Sequence, residues 1–150
     1  MISSIYKAKA YNDEYLTNAR AGFVDSVPYI TRTDENNGVK SFVLKQELNG
    51  VEGGNAIVIG DTTATVSYQE KNFICGDHIV VVRADWLNKF TGLFIVTLLR
   101  KENYRYSYGR AFKMEAIKDT FLKIPATADG SPDYKFMEEF IKSLPYSDRI

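Results

Sequence analysis

Histidine, cysteine and tryptophan each occur once in these 150 residues, and proline four times. A histidine-based metal site, or a serine or cysteine triad, would have to be built on His78. That residue opens an apolar strand just after a Gly-Asp turn, the setting of a satisfied structural histidine. Cys75 has no partner for an intrachain disulfide, and its place in Phe73-Ile74-Cys75 suits burial as a small hydrophobe. Long apolar runs are also missing. Ile79 to Val82 and Leu93 to Leu99 are far short of the roughly 20 residues a membrane helix needs, and the opening MISSIYKAKA lacks the apolar core of a signal peptide. The expected setting is therefore the cytoplasm, with no membrane contact. Glycines gather in Gly50-Val51-Glu52-Gly53-Gly54, but no GxxxxGK[ST] and no GxGxxG entering a helix is present, which excludes the common phosphate-cradling loops. Net charge is zero, 19 cations against 19 anions, which argues against a protein that grips nucleic acid by bulk electrostatics.

What is present is enough for one ordinary domain: 45% hydrophobic and 13% aromatic residues, with no low-complexity segment and no internal repeat. The neutral average hides a gradient. From Thr91 to Ile124 there are seven Lys or Arg against three Asp or Glu, whereas the residues before and after are net acidic. Within that basic stretch, Tyr104 to Phe112 holds Tyr104, Tyr106, Tyr108, Phe112, Arg105 and Arg110, with Ser107 and Gly109 and no acid. Stackable rings beside rigid donor forks suit something planar or anionic. An aromatic cluster closing one end of a core would have the same composition. The residues alone leave both open.

The start of the chain to about Thr17 reads as an irregular entry. A hairpin follows, with strands over 28–33 and 39–44 joined at Asp34-Glu35-Asn36-Asn37-Gly38, because Asn-Gly readily adopts positive φ and Pro28 suits the first position of an edge strand. Strands are expected at 56–59 and 65–69, joined at Gly60-Asp61-Thr62-Thr63, and at 78–83, where the apolar run indicates burial on both faces. A helix is expected from about Gly92 to Lys101 with Leu93, Val96 and Leu99 on its buried stripe, and a shorter one from Lys113 to Phe121 with Met114, Ile117 and Phe121 inward. Ser131-Pro132-Asp133 has the residues of a helix start, serine as cap and proline at the first turn. Phe136, Met137, Phe140, Ile141 and Leu144 form the stripe of that last helix, which Pro145 ends.

Catalytic alternatives can be weighed on spacing. Asp133-Tyr134-Lys135, with Asp119, superficially matches half of a magnesium-dependent nuclease site, but residues two apart on a helix point to different faces. Leu144-Pro145-Tyr146 is a partial likeness to the Pro-Pro-Tyr element of amino-methyltransferases, without the second proline or a glycine-rich cofactor strand. A small metal-dependent nuclease and a protein-only interaction module stay open as alternatives to nucleic-acid binding.

Five stretches in order, Pro28 to Gly38, Gly60-Asp61 with Gln69, Gly76 to Arg83, Tyr108 to Phe112, and Ile117 to Pro125, resemble the target recognition domain of restriction-modification specificity subunits of type I and type IIB systems. The likeness runs from about Ala8 to Ser147. It implies an α+β fold: a single domain over 1–150 with a twisted, mostly antiparallel sheet flanked by helices, a core over about 8–125 and a short C-terminal helix over about 132–144. It also implies a module that reads double-stranded DNA without catalysing anything itself and that directs methyltransferase and restriction subunits to their site. No cofactor is expected in this chain; S-adenosylmethionine would belong to the methyltransferase.

Carried onto this sequence, the DNA contacts fall on Thr31, Arg32, Thr33, Asn36 and Asn37, on Arg105, Tyr106, Tyr108, Arg110 and Lys113, and by extension on Tyr68 and Gln69. Arginine and asparagine suit base edges, while threonine, tyrosine and lysine suit phosphates and sugars. Phe136, Phe140 and Ile141 are the expected partner contacts. Type I subunits carry two such domains separated by long helices. A single domain would have to pair with a second one, as a homodimer or otherwise, to read both halves of a split site.

Overall fold

The computed structural model describes residues 2–45, 48–106 and 113–150, with only the backbone of Tyr106. Two sheets lie face to face, with helices against the outer face of the larger one. The larger sheet has the order β1-β7-β4-β5, every pair antiparallel: β1 is Ser4–Lys7, β4 Ala56–Gly60, β5 Val66–Gln69 and β7 Ile79–Arg83. The smaller has the order β3-β2-β6, with β2 (Ser26–Ile30) antiparallel to β3 (Val39–Leu44) and parallel to the two-residue β6 (Ile74–Cys75).

Strand periodicity sorts the core into layers. Ile57, Ile59, Val66, Tyr68, Val80 and Val82 point towards the helices, while Ala56, Val58, Ile79 and Val81 point the other way, onto Ile30, Phe73 and Cys75 of the smaller sheet. This is why β4, β5 and β7 are buried on both faces and read as apolar runs. A third layer, Val27, Tyr29, Val43 and Ile74, is covered by Tyr11, Leu16, Leu48 and Val51. Each fully buried aliphatic side chain contributes about 1.5–3 kcal/mol.

Helix α1 (Lys89–Lys101) starts at a reciprocal cap: Asn88 Oδ1 accepts from the Phe90 and Thr91 amides, and Thr91 Oγ1 accepts from the Asn88 amide. Ile95, Val96 and Leu99 are its buried face. Helix α3 (Tyr134–Ser143) crosses α1 through Met137 and Ile141, with Trp86 stacked on Tyr134 at 4.8 Å and Phe94 edge-on to Phe140 at 5.8 Å. Between them lies the short α2 (Met114–Lys118). No helix among the described residues is long and apolar enough to cross a membrane.

Several expectations from sequence are corrected. The strands divide between two sheets, and the larger one begins at Ser4, ahead of the expected core, because β7 takes β1 as its neighbour. Phe121 does not face inward: α2 ends at Lys118 and Phe121 is 92% exposed. The last helix is capped by Asp133, whose Oδ1 accepts from the Phe136 amide, so Ser131 and Pro132 precede the cap. His78, expected as a satisfied structural histidine, has a structural partner but lies on the surface. It is exposed at a positive φ of 59°, with Nδ1 3.5 Å from Oδ1 of the buried Asp61. Cys75 is fully buried as expected, and burial pushes its thiol pKa up.

Candidate nucleic-acid interface

The hairpin of β2 and β3 ends in a polar tip, Thr31–Gly38. Asn36 and Asn37 (φ 46° and 56°) and Gly38 (φ 80°) take three left-handed conformations in succession, which folds the tip back on itself. Asparagine tolerates this region better than other side-chain residues. Glycine is needed at 38 because a Cβ there would also sit 3.3 Å from Ile30 and from Ser67. The tip closes through the Thr31 amide, which donates to the Gly38 carbonyl at 2.9 Å, and Thr33 Oγ1 accepts from the Glu35 amide.

Strand β5 is the floor under this tip, and its alternation divides the labour. Val66 and Tyr68 face α1, while Ser67 and Gln69 face the tip. Gln69 Nε2 donates to the Asn37 carbonyl at 2.7 Å and to Ser67 Oγ at 2.9 Å, and Asn37 Nδ2 donates to the Tyr68 carbonyl at 2.9 Å. Tyr68 and Gln69, expected among the DNA contacts, are instead buried at 6% and 5% exposure. The Tyr68 hydroxyl donates to Asn55 Oδ1 at 2.7 Å, and burial, then Glu70, holds its pKa at about 12. Both residues lie behind the surface.

In front of the tip lies an open polar cleft of about 690 Å³, bordered by Thr31, Arg32, Thr33, Asn36, Lys40 and Thr63. Arg32 is exposed and its Nη1 donates to Thr62 Oγ1 of the turn joining β4 to β5. Lys40 is paired with Asp13. Glu35 and Asp77 also border the cleft, so its charge is mixed. Thr62, Thr63, Ser67 and Lys40 escaped sequence reasoning; polar Ser67 and Gln69 inside a strand otherwise fit for burial were the available signal.

The basic stretch approaches the same strand from the other side. Arg100 Nε, near the end of α1, donates to the Val66 carbonyl at 3.0 Å, so β5 lies between α1 and the tip. Beyond Arg100, a 3-10 turn spans Asn103–Tyr106. Arg105 Nε lies 2.8 Å from Glu102 Oε2 and donates to the Tyr104 hydroxyl at 3.0 Å, and its guanidinium is 5.5 Å from the Tyr104 ring centre. Tyr104 and Arg105 are exposed. The Tyr106 side chain, Tyr108 and Arg110 lie outside the described residues. Lys113 is exposed at the start of α2.

Of the expected partner contacts, Phe136 and Phe140 are half exposed and stacked on each other at 6.2 Å, but Ile141 is buried against the domain's own core. The nuclease-like spacing dissolves: Asp133 is the helix cap and Lys135 pairs with Glu139 one turn on. Among the described residues, no group of three or more His, Cys, Asp and Glu is placed to hold a metal ion.

Comparison with known proteins places this arrangement. The chain is 28% identical over 123 residues to the type II restriction enzyme BgcI specificity subunit S.BcgI of Heyndrickxia coagulans, covering 79% of this chain and 36% of that protein. In fold it is similar to the HsdS subunit of Thermoanaerobacter tengcongensis (TM-score 0.62, 9% identity, 97% of this chain and 34% of that one). It is also similar to the type I restriction-modification S subunit of M. genitalium (TM-score 0.53, 15% identity, 81% of this chain and 31% of that one). The chain spans about a third of the length of each of these proteins. Residues 3–145 match the family model described as the type I restriction modification DNA specificity domain, and the chain belongs to that family.

Proposed function

We propose that this chain reads the target sequence of a restriction-modification complex in double-stranded DNA, supplying the choice of site while methyltransferase and restriction subunits supply the chemistry. The observation that carries the reading is the tip 31–38, with exposed Arg32 and Asn36 bordering an open polar cleft and a buried strand holding the backbone behind them. A DNA reader needs side chains that offer donors and acceptors in fixed directions, because base edges are distinguished by hydrogen-bond pattern. Arg32, Asn36, Arg105 and Arg110 are the proposed base-edge contacts, with Thr31, Thr33, Tyr106, Tyr108 and Lys113 holding phosphates and sugars. No catalytic group is assigned to the chain, and S-adenosylmethionine would be bound by the methyltransferase partner. The half-exposed Phe136 and Phe140 are the proposed contribution of α3 to assembly, either with that subunit or with a second recognition domain.

The test is DNA binding by the chain with and without its methyltransferase partner, together with incubation of the isolated chain with magnesium and plasmid. Selective binding in the assembled complex and intact plasmid are expected. Cleavage by the isolated chain would establish the nuclease alternative, and absence of DNA binding in the full complex would leave a protein-only module. Arg32→Ala and Arg110→Ala should each reduce cognate binding and relax preference at one base pair. Unchanged binding and preference in both variants would reject the assignment of readers.

A further inference from the structure

The two adjacent asparagines of the tip, Asn36 and Asn37, have identical side chains but different surroundings. Asn37 has an amide N–H and its backbone carbonyl committed: Nδ2 donates to the Tyr68 carbonyl at 2.9 Å, and its own carbonyl accepts from Gln69 Nε2 at 2.7 Å. β5 is the edge of the larger sheet, so the Tyr68 carbonyl is an edge acceptor and Asn37 supplies the donor a further strand would have supplied. Gln69 is itself fixed by burial and by its bond to Ser67. Asn36 is exposed like its neighbour, but it borders the cleft, and among the described residues it has no side-chain hydrogen bond. Its left-handed backbone is imposed by the anchored neighbour, since strained conformations persist only where the surroundings over-determine them.

From this division we infer that Asn36 is the specificity-determining residue of the tip, reading the edge of an adenine in an A·T pair, and that Asn37 and Gln69 are positioning residues that act through it. The inference rests on the DNA-reading role proposed above. An asparagine amide presents one donor and one acceptor, which match N7 and the N6 amino group of adenine in the major groove. Asn37 is tethered to the sheet edge through Nδ2, so swinging its amide onto a base edge would leave the Tyr68 carbonyl without that donor and the turn unclamped. Arg32, at the other end of the tip, is already held by Thr62 and borders the same cleft, so Asn36 and Arg32 would face the groove together.

Paired glycine substitutions isolate the side chains, because glycine adopts left-handed φ freely and relieves backbone strain equally at both positions. The chain in complex with its methyltransferase partner would be incubated with a randomised double-stranded DNA library, and the bound fraction sequenced. Asn36→Gly should abolish an adenine preference at one position, a loss of about 5- to 150-fold in discrimination against other bases there, with the remaining preferences intact. Asn37→Gly should weaken binding to all sequences and keep the same adenine preferred. Gln69→Glu, which keeps size but removes both donors, should blur the preference at the position Asn36 reads and at no other. An exchange of roles, with Asn37→Gly erasing one base preference and Asn36→Gly neutral, overturns the inference. So does full retention of selectivity in both variants, which would leave the DNA-reading role standing. A wild-type complex that selects no sequence would overturn the inference and the proposed function together.

Discussion

The Tyr68 ring lies where a Cβ on Gly92 would come within 2.5 Å of it, so α1 sits on β5 at the distance only glycine allows. Adding that methyl in Gly92→Ala must push the helix or the ring. Overpacking costs about 1–3 kcal/mol, which outweighs the roughly 1 kcal/mol that alanine gains over glycine in a helix. A lower urea midpoint is therefore expected, and an unchanged or raised one would show that the helix can lift without loss. Tyr68 also gives the fold a pH dependence. Its folded pKa, about 12, lies above the ordinary value of 10.0, so between those values the unfolded chain loses the phenolic proton first. The unfolded state then binds fewer protons, and stability falls as pH rises from about 10 towards 12. Tyr6 and Tyr29, both raised chiefly by burial, add to the same loss. Denaturant titrations across that range should show a shallower alkaline decline for Tyr68→Phe than for the parent, and identical slopes would contradict the assignment.

At the scale of elements, α3 has a buried part and a half-exposed part. Met137 and Ile141 are buried while Phe136 and Phe140 are half exposed, although all four lie in the apolar stripe visible in the sequence. Met137→Ala should cost about 2–5 kcal/mol of stability, whereas Phe140→Asp should cost only the roughly 0.5–1.5 kcal/mol of an aromatic pair with Phe94 or Phe136 and weaken assembly with the methyltransferase, read by gel filtration. A large loss of stability in Phe140→Asp would mean that this ring serves the domain's own core. The stripe was legible because its spacing is helical, but its division was not, since that depends on where α1 passes. The same limit separates β7 from β1 and β6. Ile79 to Val82 announces a strand buried on both faces, whereas Ser4–Lys7 and the two residues Ile74–Cys75 become strands only because β7 and β2 offer them an edge. The hairpin was legible from Asn37-Gly38, and its anchoring on Gln69 was not, because spacing along a chain does not reveal which side of β5 a neighbouring loop will cover.

At the scale of the whole molecule, the balance of 19 cations and 19 anions bears on the proposed binding of DNA. Some of those cations are already engaged: Lys40 with Asp13, Arg83 with Glu52, Arg105 with Glu102. Nonspecific affinity grows with the number of phosphates neutralised and falls with salt in proportion to that number. A chain with no net positive charge should therefore bind weakly alone, and assembly with a methyltransferase subunit should both tighten binding and steepen its salt dependence. Lys113, exposed at the start of α2, is proposed to neutralise one phosphate. Lys113→Ala should lower the slope of log affinity against log salt by about 1 and weaken cognate and random duplexes alike, whereas loss of a base reader should act chiefly on the cognate site. Filter binding across a salt series, with and without the methyltransferase, measures both effects. Tight, salt-resistant cognate binding by the isolated monomer would show that the tip and its cleft need no partner to hold DNA. An unchanged slope in Lys113→Ala would place the phosphate grip elsewhere on the chain.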